Sequence, residues 1–158
     1  MTKEHNPAIP YSVDEIAVEA KRSADAGASI IHLHVREDDG TPTQSADRFK
    51  ACIDAIRQQC PDVIIQPSTG GAVGMTNAER LQPVTLNPEM ATLDCGTVNF
   101  GNDDVFVNSE NTIIEFGQKM IELGVKPEVE VFDKGMIDTA VRLCKNCLLY
   151  TSDAADEE

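Results

Sequence analysis

The sequence predicts a parallel α/β protein, and two features of its pattern lead to this prediction. Short apolar segments alternate four times with segments of helical periodicity, and each connection is long enough for a crossover. Each apolar segment also carries polar residues at alternate positions, so one face of each predicted strand is polar. An open doubly wound sheet has helices on both faces and favours apolar residues on both. The alternation therefore favours a barrel, whose strands face helices on one side and a lumen on the other.

The first predicted helix and strand are marked by local signals. Ser12 is followed three residues later by Glu15, which is the spacing of a capping box. The helix is expected to continue to about Ala26, because Gly27 is a typical residue for ending a helix. The first strand follows at once, over about residues 29–35.

The remaining predicted elements repeat this alternation. The second helix covers roughly residues 46–59 and turns Phe49, Ile53 and Ile56 inward. The elements that follow are a strand at 62–68, a glycine-rich loop at 68–74, a short helix at 76–82, a strand at 89–95, a polar loop at 96–108 with a brief strand near 98–100, a helix at 109–123, a strand at 127–132 and a helix at 135–145.

The first strand carries two histidines, His32 and His34, with apolar residues between and beside them. Residues two apart on a strand lie on one face, with Cα atoms about 6.5 Å apart. Two imidazoles at that separation can bind one zinc ion, with Zn–N distances of about 2.0–2.1 Å. The pair lies at the carboxyl end of its strand, where barrel enzymes carry their catalytic residues. The alternative is a pair of histidines satisfied by ordinary hydrogen bonds.

Two other segments carry residues with possible chemistry. Residues 68–71 (Ser-Thr-Gly-Gly) can form an anion-binding nest of backbone N–H groups, or a simple turn between strand and helix. Glu128 and Glu130 share one strand face, and either face water on an edge strand or point into a site. In the second case Glu130, nearer the carboxyl end, reaches a substrate. Cys95 lies on the helix-facing side without a basic partner, so its thiol is expected to be inert.

Composition excludes several classes of function. The net charge of −14 provides no basic footprint for a nucleic acid. There is no apolar run of about 18 residues, so no membrane span is expected. The polar N-terminus does not resemble a signal peptide. The five cysteines are interpreted as free thiols in a reducing compartment, which favours a cytoplasmic protein.

Five motifs in order resemble those of the β-keto acid cleavage enzyme family, and the resemblance covers about residues 2–145. They are residues 32–40 (HLHVREDDG), 68–74 (STGGAVG), 88–93 (PEMATL), 96–101 (GTVNFG) and 127–132 (PEVEVF).

The resemblance implies a zinc-binding (β/α)8 TIM barrel that condenses a β-keto acid with acetyl-CoA and yields acetoacetate and a new CoA ester. A zinc ion acting as a Lewis acid suits this chemistry, because it polarises a ketone and stabilises an enolate. The whole protein is expected to be a homo-oligomer whose partners are small molecules. By resemblance, the zinc ligands are His32 and His34, and the residues that contact or line the keto acid site are Ser68, Gly71, Thr92 and Glu130, with Glu130 catalytic.

The resemblance also implies that this chain is a partial TIM barrel with roughly strands 2–5. The family's first strand with its Glu, a third zinc ligand, an Arg and an Asp general base fall outside the sequence. We therefore expect a partial barrel domain at 1–146 that is inactive by itself. Residues 147–158 are expected to be a non-native tail, because residues 147–152 (Cys-Leu-Leu-Tyr-Thr-Ser) match the translation of a sequencing adapter end.

The residues alone leave two other functions open. One is a non-catalytic module that binds a metal or an anion and folds by itself. The other is a different metal-dependent barrel enzyme, such as an aldolase-type lyase, which would share the His-x-His pattern but not the Ser-Thr-Gly-Gly run.

Overall fold

The computed structural model describes residues 2–101 and 103–145, which form alternating strands and helices. The helices are α1 (Val13–Asp25), α2 (Ala46–Gln59), α3 (Asn77–Arg80), α4 (Glu110–Leu123) and α5 (Lys134–Lys145), with a 3-10 helix at Gln82–Leu86. The strands are β1 (Ile30–Leu33), β2 (Val35–Arg36), β3 (Pro42–Thr43), β4 (Ile64–Pro67), β5 (Met90–Asp94), β6 (Val98–Phe100), β7 (Asp104–Phe106) and β8 (Lys126–Glu130).

The central strands run parallel and follow the order of the chain. β1 pairs in parallel with β4, and β5 pairs in parallel with β8. β4 and β5 lie side by side and are joined through Thr69, whose N–H donates to Thr92 Oγ1 at 2.9 Å and whose Oγ1 donates to the Thr92 carbonyl at 2.8 Å. The order is therefore β1–β4–β5–β8, which confirms the parallel α/β prediction.

The helices cover one face of these strands, and three apolar clusters of the described residues lie between, the smallest of them around Val84 and Met120. In the first core, Phe49, Cys52 and Ile56 of α2 are fully buried against Leu33 and Ile65. The second core packs α4 and α5 on β5 and β8 around Leu93, Phe116 and Met136. This arrangement leaves the polar face of the strands free on the other side.

Local signals at the helix ends behave as the sequence predicts. The Ser12 side chain accepts from the Glu15 N–H while Glu15 bonds back to the Ser12 N–H, completing the capping box. Gly124 ends α4 with φ of 69°, a left-handed conformation that glycine adopts without steric cost.

Two segments differ from the prediction. The first strand ends at Leu33, and Val35 and Arg36 turn away to form β2, which pairs antiparallel with β3. The Arg36 Nη1 donates to the Gly40 carbonyl at 2.7 Å and stabilises the intervening turn. The predicted polar loop at 96–108 contains an antiparallel hairpin of β6 and β7, which turns at Gly101 with φ of 69°.

Other expectations concern the chain as a whole. Within residues 2–101 and 103–145, no helix is long and apolar enough to cross a membrane. Four cysteines in these ranges are free thiols, namely Cys52, Cys60, Cys95 and Cys144. Residues 147–158 lie outside the described residues, so their assignment as a non-native tail stays a prediction.

Candidate active site

A cavity of about 690 Å³ opens at the carboxyl ends of the parallel strands. Each central strand contributes to its wall from its own carboxyl end, as is usual for ligand sites in parallel α/β proteins. Its lining includes His32, His34, Ser68, Gly70, Gly71, Ala72, Val73, Asp94, Val98, Asn99, Phe100, Phe106, Glu130 and Phe132.

The structure brings His32 and His34 together on the cavity wall. Their Nε2 atoms lie 3.0 Å apart, and the imidazole centroids are 4.9 Å apart. The Nδ1 atom of His32 lies 2.9 Å from Gln66 Oε1, which can accept only if this nitrogen carries the proton. That tautomer leaves His32 Nε2 unprotonated, so that it can accept from His34 Nε2–H or bind a metal ion. A second residue that fixes the ring in this way is typical of a metal-binding histidine.

His34 is held in the neutral form that binds metals. One edge of the His34 ring is exposed to the cavity, but the protein around the rest of the ring excludes much of the water. This burial, together with the charges of His32 and Arg36, lowers the pKa of His34 to about 4. The imidazole is therefore neutral at pH 7, with a nitrogen lone pair available.

Two carboxyl groups meet on the same wall. Asp94 and Glu130 are register partners at the carboxyl ends of β5 and β8. Burial, then the neighbouring Asp94 carboxyl and the charge of Glu128, raise the pKa of Glu130 to about 7. Burial also raises the pKa of Asp94. Glu130 can therefore hold or release a proton near neutral pH, a property common at catalytic sites.

The donor atoms of three residues could hold a metal ion. Potential ligand atoms of His32, Glu128 and Glu130 all lie within 4.8 Å of one another. Glu128 also accepts a hydrogen bond from Gln66 Nε2, so Gln66 contacts both His32 and Glu128. One or two imidazole nitrogens with carboxylate oxygens form a donor set that suits zinc. The residues present therefore fit such an ion.

Glu128 and Glu130 were not among the candidate metal ligands predicted from the sequence, although the strand alternation held a signal. Glu128 and Glu130 lie on the polar face of their strand, as His32 does on its own. Two strands, β4 and β5, lie between β1 and β8. A flat sheet would hold β1 and β8 about 14 Å apart, so the approach depends on how the sheet curves. The Glu128 side chain is exposed, as expected for a residue that faces water on an edge strand. Glu130 is half-buried and does not fit that alternative.

The glycine-rich loop forms another part of the wall. Ser68 is buried, and its Oγ accepts from the Gly70 N–H at 3.0 Å. Gly71 has φ of 66°, and a Cβ there would lie 2.9 Å from Met75 Sδ. Ser68 and Gly71 both line the cavity, and their contact with a substrate stays a prediction. Thr92 does not line it; its hydroxyl lies behind the loop and accepts from the Thr69 N–H.

The β6–β7 hairpin supplies an apolar wall, of which the sequence predicted the first strand, near 98–100, but not the second. Val98, Phe100 and Phe106 face the cavity from this hairpin. The alternation of Val-Asn-Phe and Asp-Val-Phe around Gly101 was the available signal. Cys95 is fully buried, and burial with the nearby Asp94 raises its pKa to about 11, in keeping with an inert thiol.

Fold and site together define a parallel α/β protein with a candidate metal centre and a carboxyl pair at the carboxyl ends of its strands. The chain belongs to the β-keto acid cleavage enzyme family, whose family model matches residues 1–154. This match confirms the resemblance seen in the sequence motifs.

The curated relatives support the same membership. The chain is 73% identical over 145 residues to a 3-keto-5-aminohexanoate cleavage enzyme of Fusobacterium nucleatum, covering 92% of this chain and 53% of the relative. It is 72% identical over 151 residues to the enzyme of that name from Acetoanaerobium sticklandii, covering 96% and 55%. A 3-oxoadipate:acetyl-CoA acetyltransferase of Cupriavidus necator is 40% identical over 141 residues, covering 89% and 49%. The chain thus spans about half the length of these relatives.

Solved structures show the same fold. A binary complex of ObcA with oxaloacetate matches with a TM-score of 0.78 at 24% identity, covering 90% of this chain and 35% of that one. A ternary complex of ObcA with a C4-CoA adduct and oxalate matches with a TM-score of 0.76 at 25% identity and the same coverage.

Proposed function

We propose that this chain is part of a zinc-dependent enzyme that cleaves a β-keto acid with acetyl-CoA, giving acetoacetate and a new CoA ester. The observation that carries the proposal is the placement of His32 and His34 beside Glu130 on one cavity wall, in a member of this family. The chain spans about half of its relatives, so the activity belongs to the whole protein. By itself the chain is proposed to be inactive.

The four parallel strands are proposed to form one side of a (β/α)8 barrel, roughly its strands 2–5. Two features support this proposal. The strand order follows the chain, as in a barrel, whereas doubly wound sheets reverse their order. The exposed apolar side chains at the end of β8 and on α5 provide a surface for further elements, namely Val131, Phe132, Ile137 and Val141.

The zinc site is proposed to use His32 and His34, with Glu128 and Glu130 as the nearest carboxylates. Bound zinc would supply a Lewis acid for the keto oxygen. The chain's own contribution is to orient the donors: Gln66 holds the His32 ring, and the low pKa of His34 keeps that ring neutral. Residues of the missing part are proposed to complete the ligand set.

Glu130 is proposed as the catalytic residue of this half of the site. Its carboxyl group faces the cavity, and in the metal-free site burial and the neighbouring Asp94 carboxyl raise its pKa to about 7, so that it can hold a proton at neutral pH. Ser68 and Gly71 are proposed to contact the keto acid from the glycine-rich loop. Thr92 is proposed to act from behind the loop, because its hydroxyl holds the Thr69 N–H.

The substrate is proposed to carry a cationic amino group, as in the 3-keto-5-aminohexanoate named for the relatives at 72–73% identity. Charge supports this choice over a dianion such as 3-oxoadipate. The described residues that line the cavity include Asp94 and Glu130 but neither lysine nor arginine. On this part of the cavity wall, a second carboxylate on the substrate would therefore approach two acidic side chains and no basic one.

The test uses a complete protein that contains these residues. In a chimeric enzyme, residues 2–145 of this chain replace the matching segment of the Acetoanaerobium sticklandii relative. With zinc and acetyl-CoA, it is expected to cleave 3-keto-5-aminohexanoate with a kcat/KM roughly 100-fold or more above that for 3-oxoadipate. Equal use of both substrates would contradict the charge argument. Failure to cleave either one, in a folded zinc-loaded chimera, would contradict the proposed function.

A further inference from the structure

Two buried polar side chains lie behind the glycine-rich loop and bind consecutive carbonyl groups of it. Gln44 Nε2 donates to the Ser68 carbonyl at 2.9 Å, and Arg80 Nε donates to the Thr69 carbonyl at 2.8 Å. Gln44 is 4% exposed and Arg80 is 3% exposed. Burying an arginine is costly unless its donors are satisfied, so this placement needs a structural or functional reason.

Arg80 also binds the base of the β6–β7 hairpin, which forms the apolar wall of the cavity. Its Nη2 donates to Asn108 Oδ1 at 2.7 Å, and its Nη1 donates to the Val107 carbonyl at 3.3 Å. The guanidinium lies between the rings of Phe106 and Phe116, at 4.7 and 4.8 Å from their centroids. Because Phe106 lines the cavity, one side chain joins the glycine-rich loop to the apolar wall.

The loop packs tightly on these two residues. A Cβ at Gly71 would lie 3.3 Å from both Arg80 Cγ and Gln44 Cγ, so the backbone approaches their side-chain stems closely. Gln44 Nε2 also donates to the Arg80 carbonyl at 3.3 Å, which links the two residues to each other. The position of the loop is thus set by Gln44 and Arg80 and not by the loop alone.

We propose that Arg80 and Gln44 are positioning residues that hold the 68–71 loop in the geometry needed to bind the carboxylate of the keto acid. This inference rests on the proposed function of the loop. Neither side chain touches the cavity, so each acts through the carbonyl groups of Ser68 and Thr69. Loss of either anchor should weaken substrate binding more than it slows turnover.

The first test is Arg80→Lys in the chimeric enzyme. Lysine keeps a positive charge near Asp94, whose Oδ2 lies 3.8 Å from Arg80 Nη2. It lacks the planar fork that reaches Thr69, Val107 and Asn108 together. We expect the KM for the keto acid to rise roughly tenfold or more, with kcat changed less than about threefold. We also expect the Thr69 and Gly70 amides, which donate to Thr92 Oγ1 and Ser68 Oγ, to exchange hydrogen roughly tenfold faster.

Gln44→Met is the second test, because it keeps the side-chain length and removes the amide that donates to the Ser68 and Arg80 carbonyls. It should produce the same kind of KM increase. Arg57→Lys is the matched control. Arg57 also binds two backbone carbonyls, those of Pro61 and Val63, but lies away from the cavity. This control should lower thermal stability without changing KM.

The results of these tests distinguish a positioning role of Arg80 and Gln44 from a purely structural one. An unchanged KM and unchanged exchange at Thr69 and Gly70 in folded Arg80→Lys or Gln44→Met would overturn the proposal. If Arg80→Lys does not fold, the KM and the hydrogen exchange of Gln44→Met decide whether the proposal holds. If neither folds, both residues are core stabilisers and the proposal is wrong. If the unmutated chimera lacks cleavage activity, the proposed function fails, while the exchange rates still report whether the two side chains anchor the loop.

Discussion

Replacing Glu130 by Gln should stabilise the protein at alkaline pH while reducing its turnover. Burial and the neighbouring carboxylates raise the pKa of Glu130 from 4.5 to about 7. Between these two values the folded state binds a proton more readily than the unfolded state. Folding stability therefore falls as pH rises through this window, and the penalty is complete above pH 7. Glutamine keeps the shape of the side chain but never acquires the charge.

The magnitude follows from the two pKa values. Moving a pKa from 4.5 to about 7 corresponds to about 3 kcal/mol, at roughly 1.4 kcal/mol per pKa unit. Glu130 is half-buried, so solvent screening reduces the expected gain to about 1–2 kcal/mol. We expect this gain in the free energy of unfolding for Glu130→Gln at pH 8, and almost none at pH 4.5. Turnover should fall roughly 100-fold or more, because an amide cannot exchange a proton.

The assay is urea unfolding of the metal-free chimeric enzyme at pH 8 and pH 4.5. Glu122→Gln is the control, since Glu122 is an exposed residue paired with Lys119 and should change stability by less than about 0.5 kcal/mol. Destabilisation of Glu130→Gln at pH 8 would refute the reasoning, because it would mean that a cation compensates the carboxylate. Among the residues at 2–101 and 103–145, no lysine or arginine nitrogen lies within 4.0 Å of this carboxylate.

Three further predictions concern zinc binding, the stability of the hydrophobic core and the folding of the 158-residue chain by itself. His32→Ala or His34→Ala should abolish tight zinc binding and turnover in the chimeric enzyme, whereas the exposed His5→Ala should not; full activity after metal analysis would contradict the ligand assignment. Phe49→Ala should cost about 3–5 kcal/mol in a denaturation experiment, because Phe49 is fully buried, and Phe49→Leu should cost less. The 158-residue chain alone should neither fold stably nor react, because β1 and β8 each have one unpaired edge among the described strands. Strong hydrogen-exchange protection of β1 and β8, or zinc-dependent cleavage, would show this last prediction to be wrong.

The exposed apolar side chains are a second reason to expect that the chain does not fold stably by itself. Phe132, Ile137 and Val141 remain exposed beside the β8 edge, and Phe100 is 60% exposed on the hairpin. Neighbouring apolar surface of this kind marks a place where other protein packs, or a risk of aggregation. The remaining half of the family's polypeptide is the partner expected to cover it.

Local periodicity determined most of the secondary structure from the sequence alone. A helix face, a strand alternation or a capping box depends on residues within a few positions of one another. For this reason α1, α2, α4 and the four parallel strands lie where the pattern predicts, and His32 and His34 share a face. The same local motifs were sufficient to recognise the family.

The tertiary structure decided how distant segments meet. Glu128 and Glu130 reach His32 only because two strands between them fix the order and register of the sheet. Arg80 is an unremarkable helix residue in the sequence, yet packing buries it between the glycine-rich loop and the hairpin. The position of Thr92 in its strand predicts a side chain that faces the cavity, but its hydroxyl accepts a hydrogen bond from the Thr69 N–H instead. Such contacts depend on long-range packing, whose free energy is shared by many residues and is not encoded in any short segment.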